Sequence, residues 1–193
     1  MGVMDLFRPK WRHSDKEVRL QVVETTDNQE VLVAVAKSDP DETVRRRAFG
    51  RIDIDKLTDQ VLLRKILRTD PDWENRLAAV EKIDAPDILT EAAGNDASWF
   101  VRLEAVKWLD DSETLERVAI EDENETVRIA AIRRLSDVPV LIRIAETDAN
   151  EWIREAAVEQ IDDNAVLSRI AETDPSRWVR RAACSRIAVS RTA

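Results

Sequence analysis

Tyrosine is absent from this 193-residue chain, glycine occurs 3 times, and cysteine and histidine occur once each. Each shortage removes a class of protein. A sandwich or barrel with many tight turns wants more glycine than this. The single Cys184 excludes an internal disulfide framework. It lies between "RRAA" and "SRI" on a predicted helix, which favours a buried, inert thiol. The single His13 excludes His-rich metal sites, and it stands at the far end of the chain from Cys184, which is left without a histidine base. No GxGxxG, GxxxxGK[ST] or GxSxG stretch occurs, so phosphate loops and nucleophile elbows are missing. A basic excess is missing too. The formal net charge is −9, which weighs against a generic nucleic-acid binder. No apolar run approaches the length of a membrane span. The opening "MGVMDLFRPK" lacks a secretory h-region, and Leu6 stands where a myristoylation motif has Ser or Thr. The expectation is a cytoplasmic protein without metal or cofactor.

What is present is charge and helix-forming residues. Hydrophobic residues make up 44% and charged residues 36%, too apolar for a disordered chain. Ala, Leu, Ile, Arg and Glu dominate, which favours helix. Internal periodicity is plain. Arginines recur at 19, 45, 76, 102, 128, 154 and 180, with spacings of 26, 31, 26, 26, 26 and 26. Six residues before the arginine stand Asp39, Asp70, Asp96, Asp122, Asp148 and Asp174, with His13 in the first unit. Thirteen before it stand Leu32, Leu63, Leu89, Leu115, Leu141 and Leu167. Three after it come Ala48, Ala79, Ala105, Ala131, Ala157 and Ala183. Seven after it come Ile52, Ile83, Leu109, Leu135, Ile161 and Ile187.

Each unit therefore reads as two short amphipathic helices, the first like "VLIRIAET" and the second like "WIREAAVEQI". Turns such as "SDPDET" and "TDPSRW" separate them, with Asp-Pro ending one helix and starting the next. A pair this short cannot bury its apolar stripe alone, so neighbours must stack. The D-x5-R unit followed by A-x3-[IL], as in "DENETVRIAAIRRL", resembles HEAT-like repeats of the HEAT/armadillo family. The likeness covers about Trp11 to Ile187, with compact units similar to those of phycobilisome-lyase-type proteins. It implies an all-α fold, a right-handed alpha-alpha superhelix of about seven helix pairs. The expected organisation is one domain over 1–193. Residues 1–14 form an N-terminal cap using Met4, Leu6, Phe7 and Trp11. Repeats run from about 15 to 188, and 189–193 is a frayed tail. The five extra residues in "IDIDKLTDQVLLRKIL" are expected to lengthen the first helix of their unit by about one turn.

The resemblance also implies an inter-repeat ladder, each arginine bonding a neighbouring aspartate: Asp39, Arg45, Asp70, Arg76, Asp96, Arg102, Asp122, Arg128, Asp148, Arg154, Asp174 and Arg180. The chemistry fits, because guanidinium pairs carboxylate bidentately and a turn aspartate caps free backbone N–H groups. Repetition in nearly every unit speaks against catalytic acids, since an active site needs one constellation.

On the helical wheel of each second helix, the residues two before the arginine and one, two and five after it oppose the buried arc. In the family this helix lines the concave side. That arc carries Phe100, Leu103 and Lys107, then Ile129 and Arg133, then Trp152, then Trp178. Phe100, Trp152 and Trp178 share one repeat position. Tryptophan and arginine are favoured at interface hot spots, although half-buried aromatics also seal seams between units. Basic residues gather on the second helices, at Arg46, Arg47, Arg51, Lys82, Lys107, Arg133, Arg134, Arg181 and Arg186. A solvated surface of mixed charge explains them as readily as a basic face. The reading is a monomeric, non-catalytic protein-interaction scaffold. It binds a protein or peptide segment through Phe100, Trp152, Trp178, Leu103, Lys107, Ile129 and Arg133. Alternatives are a DNA-binding or DNA-glycosylase-like enzyme using Trp99, Trp108 and Trp152, a phycobilin lyase-like protein, or a purely structural repeat.

Overall fold

The computed structural model describes residues 9–190, with side chains to 188. Its regular elements are all helical among the described residues, and the chain divides into two compact units, 1–84 and 85–193. The first unit holds a 3-10 turn at Lys10–Arg12, α1 (Lys16–Thr25), α2 (Gln29–Ser38), α3 (Glu42–Phe49), a 3-10 turn at Ile54–Lys56, α4 (Gln60–Thr69) and α5 (Trp73–Val80). The second holds α6 (Pro86–Asn95), α7 (Trp99–Trp108), α8 (Ser112–Glu121), α9 (Glu125–Ile132), α10 (Val138–Thr147), α11 (Glu151–Val158), α12 (Asn164–Thr173) and α13 (Arg177–Ser190).

Local sequence sets the helix starts. Asp15, Asn28, Asp41, Asp59, Asp72, Asp111, Asn124, Asp137, Asn150 and Asp163 are N-caps whose side chains accept backbone N–H groups of the first turn. The repeat aspartates end the first helices. Asp39, Asp70, Asp96, Asp122, Asp148 and Asp174 are extended C-caps, and each carboxylate accepts the N–H two residues on. One short side chain thus fixes the sharp turn into the second helix.

Packing follows the same period. Helices pair as α2 with α3 and α4 with α5 in the first unit. In the second they pair as α6 with α7, α8 with α9, α10 with α11, and α12 with α13. Equivalent helices then stack: α1 on α3, and α7, α9, α11 and α13 in sequence. The buried arcs of α10 (Val140, Leu141, Ile144, Ala145) and α11 (Ile153, Ala156, Ala157) carry the helical spacing of the sequence. Burying such aliphatic side chains contributes roughly 1.5–3 kcal/mol each, which is how helices of 8–10 residues persist.

Three sequence expectations are corrected. The five extra residues do not lengthen a helix, because α4 spans 10 residues as α2, α6, α8, α10 and α12 do. They form the 3-10 turn Ile54–Lys56 instead. Asp59 caps α4 through the N–H groups of Val61 and Leu62, which fixes where the helix starts, and Leu57 is buried as an anchor. Cys184 is exposed rather than buried. Its repeat equivalents Val80, Val106, Ile132 and Val158 are buried, but no described helix follows α13 to cover it. Of the expected N-terminal cap, Trp11 is half-buried in a 3-10 turn packed on α1, while Met4, Leu6 and Phe7 lie outside the described residues. α13 continues to Ser190 where a frayed tail was expected, and 191–193 lie outside the described residues.

Candidate functional site: the second-helix face

Arginines of the repeat grip aspartates of the next helix pair. Arg154 donates from Nε and Nη2 to the two carboxylate oxygens of Asp174, at 2.9 and 3.0 Å, and from Nη1 to its own turn carbonyl at Asp148, 2.8 Å. Arg19 grips Asp39, and Arg102 grips Asp122, in the same bidentate way. Arg128 pairs with Asp148 and also donates to the carbonyl of Ala119. Arg45, Arg76, Arg102 and Arg180 donate to their own turn carbonyls at Asp39, Asp70, Asp96 and Asp174. The Arg19, Arg102 and Arg154 pairs are deeply sheltered, and the hydrogen bonds these arginines donate to Asp39, Asp122 and Asp174 raise their pKa values. Burial pushes the Asp174 carboxyl up, but Arg154, the N–H of Ser176 and the charge of Arg180 together hold it below its ordinary value.

One rung is missing. Arg45 makes no ion pair with Asp70 among the described residues; it bonds only the carbonyls of Asp39 and Pro40. Asp70 accepts instead from the N–H of Asp72 and from Asn75. The inserted residues lie between the two, so the 20-residue register that joins the other pairs is lost.

A second set of straps was not recognised in the sequence. Arg51, Lys82, Arg134 and Arg186 each stand six residues after a repeat arginine. Each reaches back about one unit to backbone carbonyls: Arg51 to Val23, Lys82 to Ile54 and Asp55, Arg134 to Lys107 and Leu109, and Arg186 to Ile161. Cations at helix C-terminal carbonyls satisfy acceptors that have no intrahelical donor. The signal was present as a basic residue in four units out of seven, but its partners are main-chain atoms, which a sequence does not mark. Much of the apparent basic character of the second helices is therefore internal bonding.

The outward arc of the second unit is different. Phe100, Leu103 and Lys107 lie on α7, Ile129 on α9 with Arg133 as its C-cap, Trp152 on α11 and Trp178 on α13. Phe100 is 42% exposed, Trp152 50% and Trp178 38%, while Leu103 and Ile129 are half-buried. The aromatic row has a gap, because Thr126 takes that position on α9. Trp152 and Trp178 are equivalent residues on the packed helices α11 and α13. Phe100 stacks on Trp99 with ring centroids 3.8 Å apart, and the Arg177 guanidinium lies 4.5 Å from the Trp178 ring. Trp108, 57% exposed, donates its indole N–H to Glu104 at 3.2 Å. The Trp152 indole N–H has no partner among the described residues.

The charged members of this face are loosely held. Exposed Lys107 pairs with half-buried Glu104 at 2.6 Å, and Arg133 with Glu159 at 4.0 Å at the surface. Exposed pairs of this kind contribute roughly 0–1 kcal/mol and exchange readily for an incoming partner. A cleft of about 420 Å3 lies between α11 and α13, lined by Glu155, Glu159, Trp178, Arg181, Ala182, Ser185 and Arg186. Burial, and then the charges of Glu159 and Glu151, push the Glu155 carboxyl above its ordinary pKa, with Arg181 pulling the other way. Glu155 and its like-charged neighbours four residues away on α11 are legible on the wheel; its partial burial beside α13, the larger cause of the shift, is not.

No group of three or more His, Cys, Asp and Glu side chains is arranged to hold a metal ion among the described residues, and none of their helices is long and apolar enough to cross a membrane. No protein-family model matches the chain, and no curated protein or solved structure matches it either, so what this surface does must be argued from its own side chains.

Proposed function

We propose that this is a HEAT-like repeat protein, a right-handed alpha-alpha superhelix of about seven helix pairs, and that it acts as a monomeric, cytoplasmic interaction scaffold without catalysis. A partner protein segment lies across the second-helix face of α7, α9, α11 and α13. Trp152 and Trp178 anchor it, Phe100 extends the contact, Leu103 and Ile129 floor it, and Lys107 and Arg133 exchange their intrachain carboxylates for partner groups. The observation that carries this reading is the pair of half-exposed tryptophans at equivalent positions on adjacent helices. An apolar anchor with an unused N–H is the type of group that contributes most at protein interfaces.

The test compares the wild type with a Trp152→Ala/Trp178→Ala variant in affinity capture, with circular dichroism as the fold control. Loss of specific partners with an unchanged melt is the expected result. A variant that unfolds makes these tryptophans structural and removes the reading. Salt-sensitive binding of duplex DNA to the wild type would favour a nucleic-acid partner instead.

A further inference from the structure

The first unit carries a cleft that the partner reading does not use. It lies on the second-helix side between α1 and α3, has a volume of about 670 Å3, and is lined by Leu20, Glu24, Thr43, Arg46, Arg47, Gly50 and Arg51. Three guanidinium groups face one carboxylate there, in a chain whose formal net charge is −9. Two of the three are engaged. Arg47 holds Glu24 through Nε at 2.6 Å and Nη2 at 3.3 Å, and Arg51 bonds the Val23 carbonyl and pairs at 3.4 Å with Asp27, outside the cleft lining. Arg46 has no hydrogen bond or ion pair from its side chain among the described residues. The Arg47–Glu24 pair is exposed on both sides, so it resists displacement weakly.

Gly50 is the second observation. The other units place Glu24, Glu81, Lys107, Arg133, Glu159 or Ser185 at its repeat position. Neither the backbone nor packing requires glycine, because φ is −67° and an added Cβ would meet only the carbonyls of Arg46 and Arg47, at an ordinary 3.8 Å. What the glycine leaves is room in the cleft beside the arginines.

We infer that the cleft between α1 and α3 binds a small organic phosphate monoester, with Arg46 and Arg47 gripping the phosphate and Leu20 and Gly50 bordering the organic part. A phosphate monoester carries about −1.5 to −2 charge near neutral pH and three acceptor oxygens, which suits several arginines better than a monocarboxylate does. The volume exceeds what bare phosphate needs and falls within the size of small-ligand pockets, roughly 300–1,000 Å3. Glu24 already occupies the Arg47 fork as an internal stand-in, so the ligand must displace it.

The full-length chain would be titrated with phenyl phosphate, inorganic phosphate and benzoate at fixed ionic strength, by calorimetry and by amide chemical shifts. Saturable binding of phenyl phosphate is expected, tighter than inorganic phosphate and benzoate. Arg46→Gln should weaken it about tenfold or more, since a charge-assisted contact is lost. Glu24→Gln, which frees Arg47, should tighten it several-fold. That opposite response cannot come from a general loss of fold or from bulk charge screening of an unrelated site. No saturation by phenyl phosphate, equal binding of benzoate, or affinity unmoved by both variants would overturn the inference. The Trp152 and Trp178 variants should leave this binding unchanged, so its failure is separable from failure of the partner reading.

Discussion

Replacing Asp174 with alanine should be the most damaging polar substitution in the second unit. The Arg154 side chain is 9% exposed and the Asp174 side chain 6%. Asp174→Ala leaves a buried guanidinium with only its bonds to the carbonyls of Asp148 and Ala149, and it also removes the acceptor of the Ser176 N–H at 2.7 Å. Breaking a buried pair by deleting one partner costs about 3–5 kcal/mol, because the remaining charge is stranded. For a chain of this size each kcal/mol lowers Tm by about 2–4 °C, so a loss of about 6–20 °C is expected if the chain melts as one. Repeat arrays can unfold in parts, in which case the loss appears as faster amide exchange in α11–α13. Circular dichroism melts and native-state hydrogen exchange measure the two outcomes. The comparison variant is Glu116→Ala, which breaks the exposed 2.6 Å pair with Arg143 and should cost about 1 kcal/mol or less. Arg154→Met/Asp174→Leu should recover most of the loss, because no charge is then buried. If Asp174→Ala falls within about 1 kcal/mol of Glu116→Ala, the rung is not sheltered and the clamp account fails.

Arg45→Met should destabilise by less than Arg102→Met, since only Arg102 grips the next repeat aspartate; equal losses in denaturant titration would refute the register argument. Gly50→Ala should stabilise by about 0.4–1 kcal/mol, because φ is compatible and the new Cβ has space; a loss in the same titration would show that the cleft floor is under strain. Glu155→Gln should raise stability at neutral pH and leave it unchanged below about pH 4. The folded carboxyl binds its proton more tightly than the unfolded one, so its penalty is absent below the unfolded pKa and complete above the raised folded value; a pH series of melts reads this directly. The depressed Asp174 carboxyl works in reverse. Its stabilisation is complete above the unfolded value of about 4 and is lost as pH falls through the lower folded value, so Asp174→Asn should flatten the acid limb of that series.

The helix pairs were legible because a single arginine position indexes a whole unit, with Leu141 at −13, Asp148 at −6, Ala157 at +3 and Ile161 at +7 around Arg154 all falling on buried or turn positions. The insertion was misplaced because apolar spacing in "KLTDQVLLRKIL" continues through Leu57, while the start of α4 is set by the Asp59 side chain. Cys184 was misjudged because burial at its repeat position depends on a following unit, which periodicity assumes. On the candidate face the exposed positions of Phe100, Trp152 and Trp178 were readable from the wheel. The straps from Arg51, Lys82, Arg134 and Arg186 were not, since their acceptors are main-chain oxygens.

The absent rung at Arg45 has a mechanical consequence. Arg19 ties α1 to the turn between α2 and α3 by two bonds to one carboxylate. From α3 to the turn at Asp70 no such tie exists, and the junction is held by buried Leu57, by Lys82 reaching the carbonyls of Ile54 and Asp55, by the surface Lys37–Asp59 pair and by Lys65 over the Phe49 ring. A junction made of one apolar plug and solvent-facing lysine contacts yields at lower force than one closed by a sheltered guanidinium fork. Drawn from its two ends, the first unit should part at Ile54–Lys56, with α4 and α5 leaving as a hairpin while α1, α2 and α3 stay together. The five extra residues act as a fuse: they fix in advance where the unit opens.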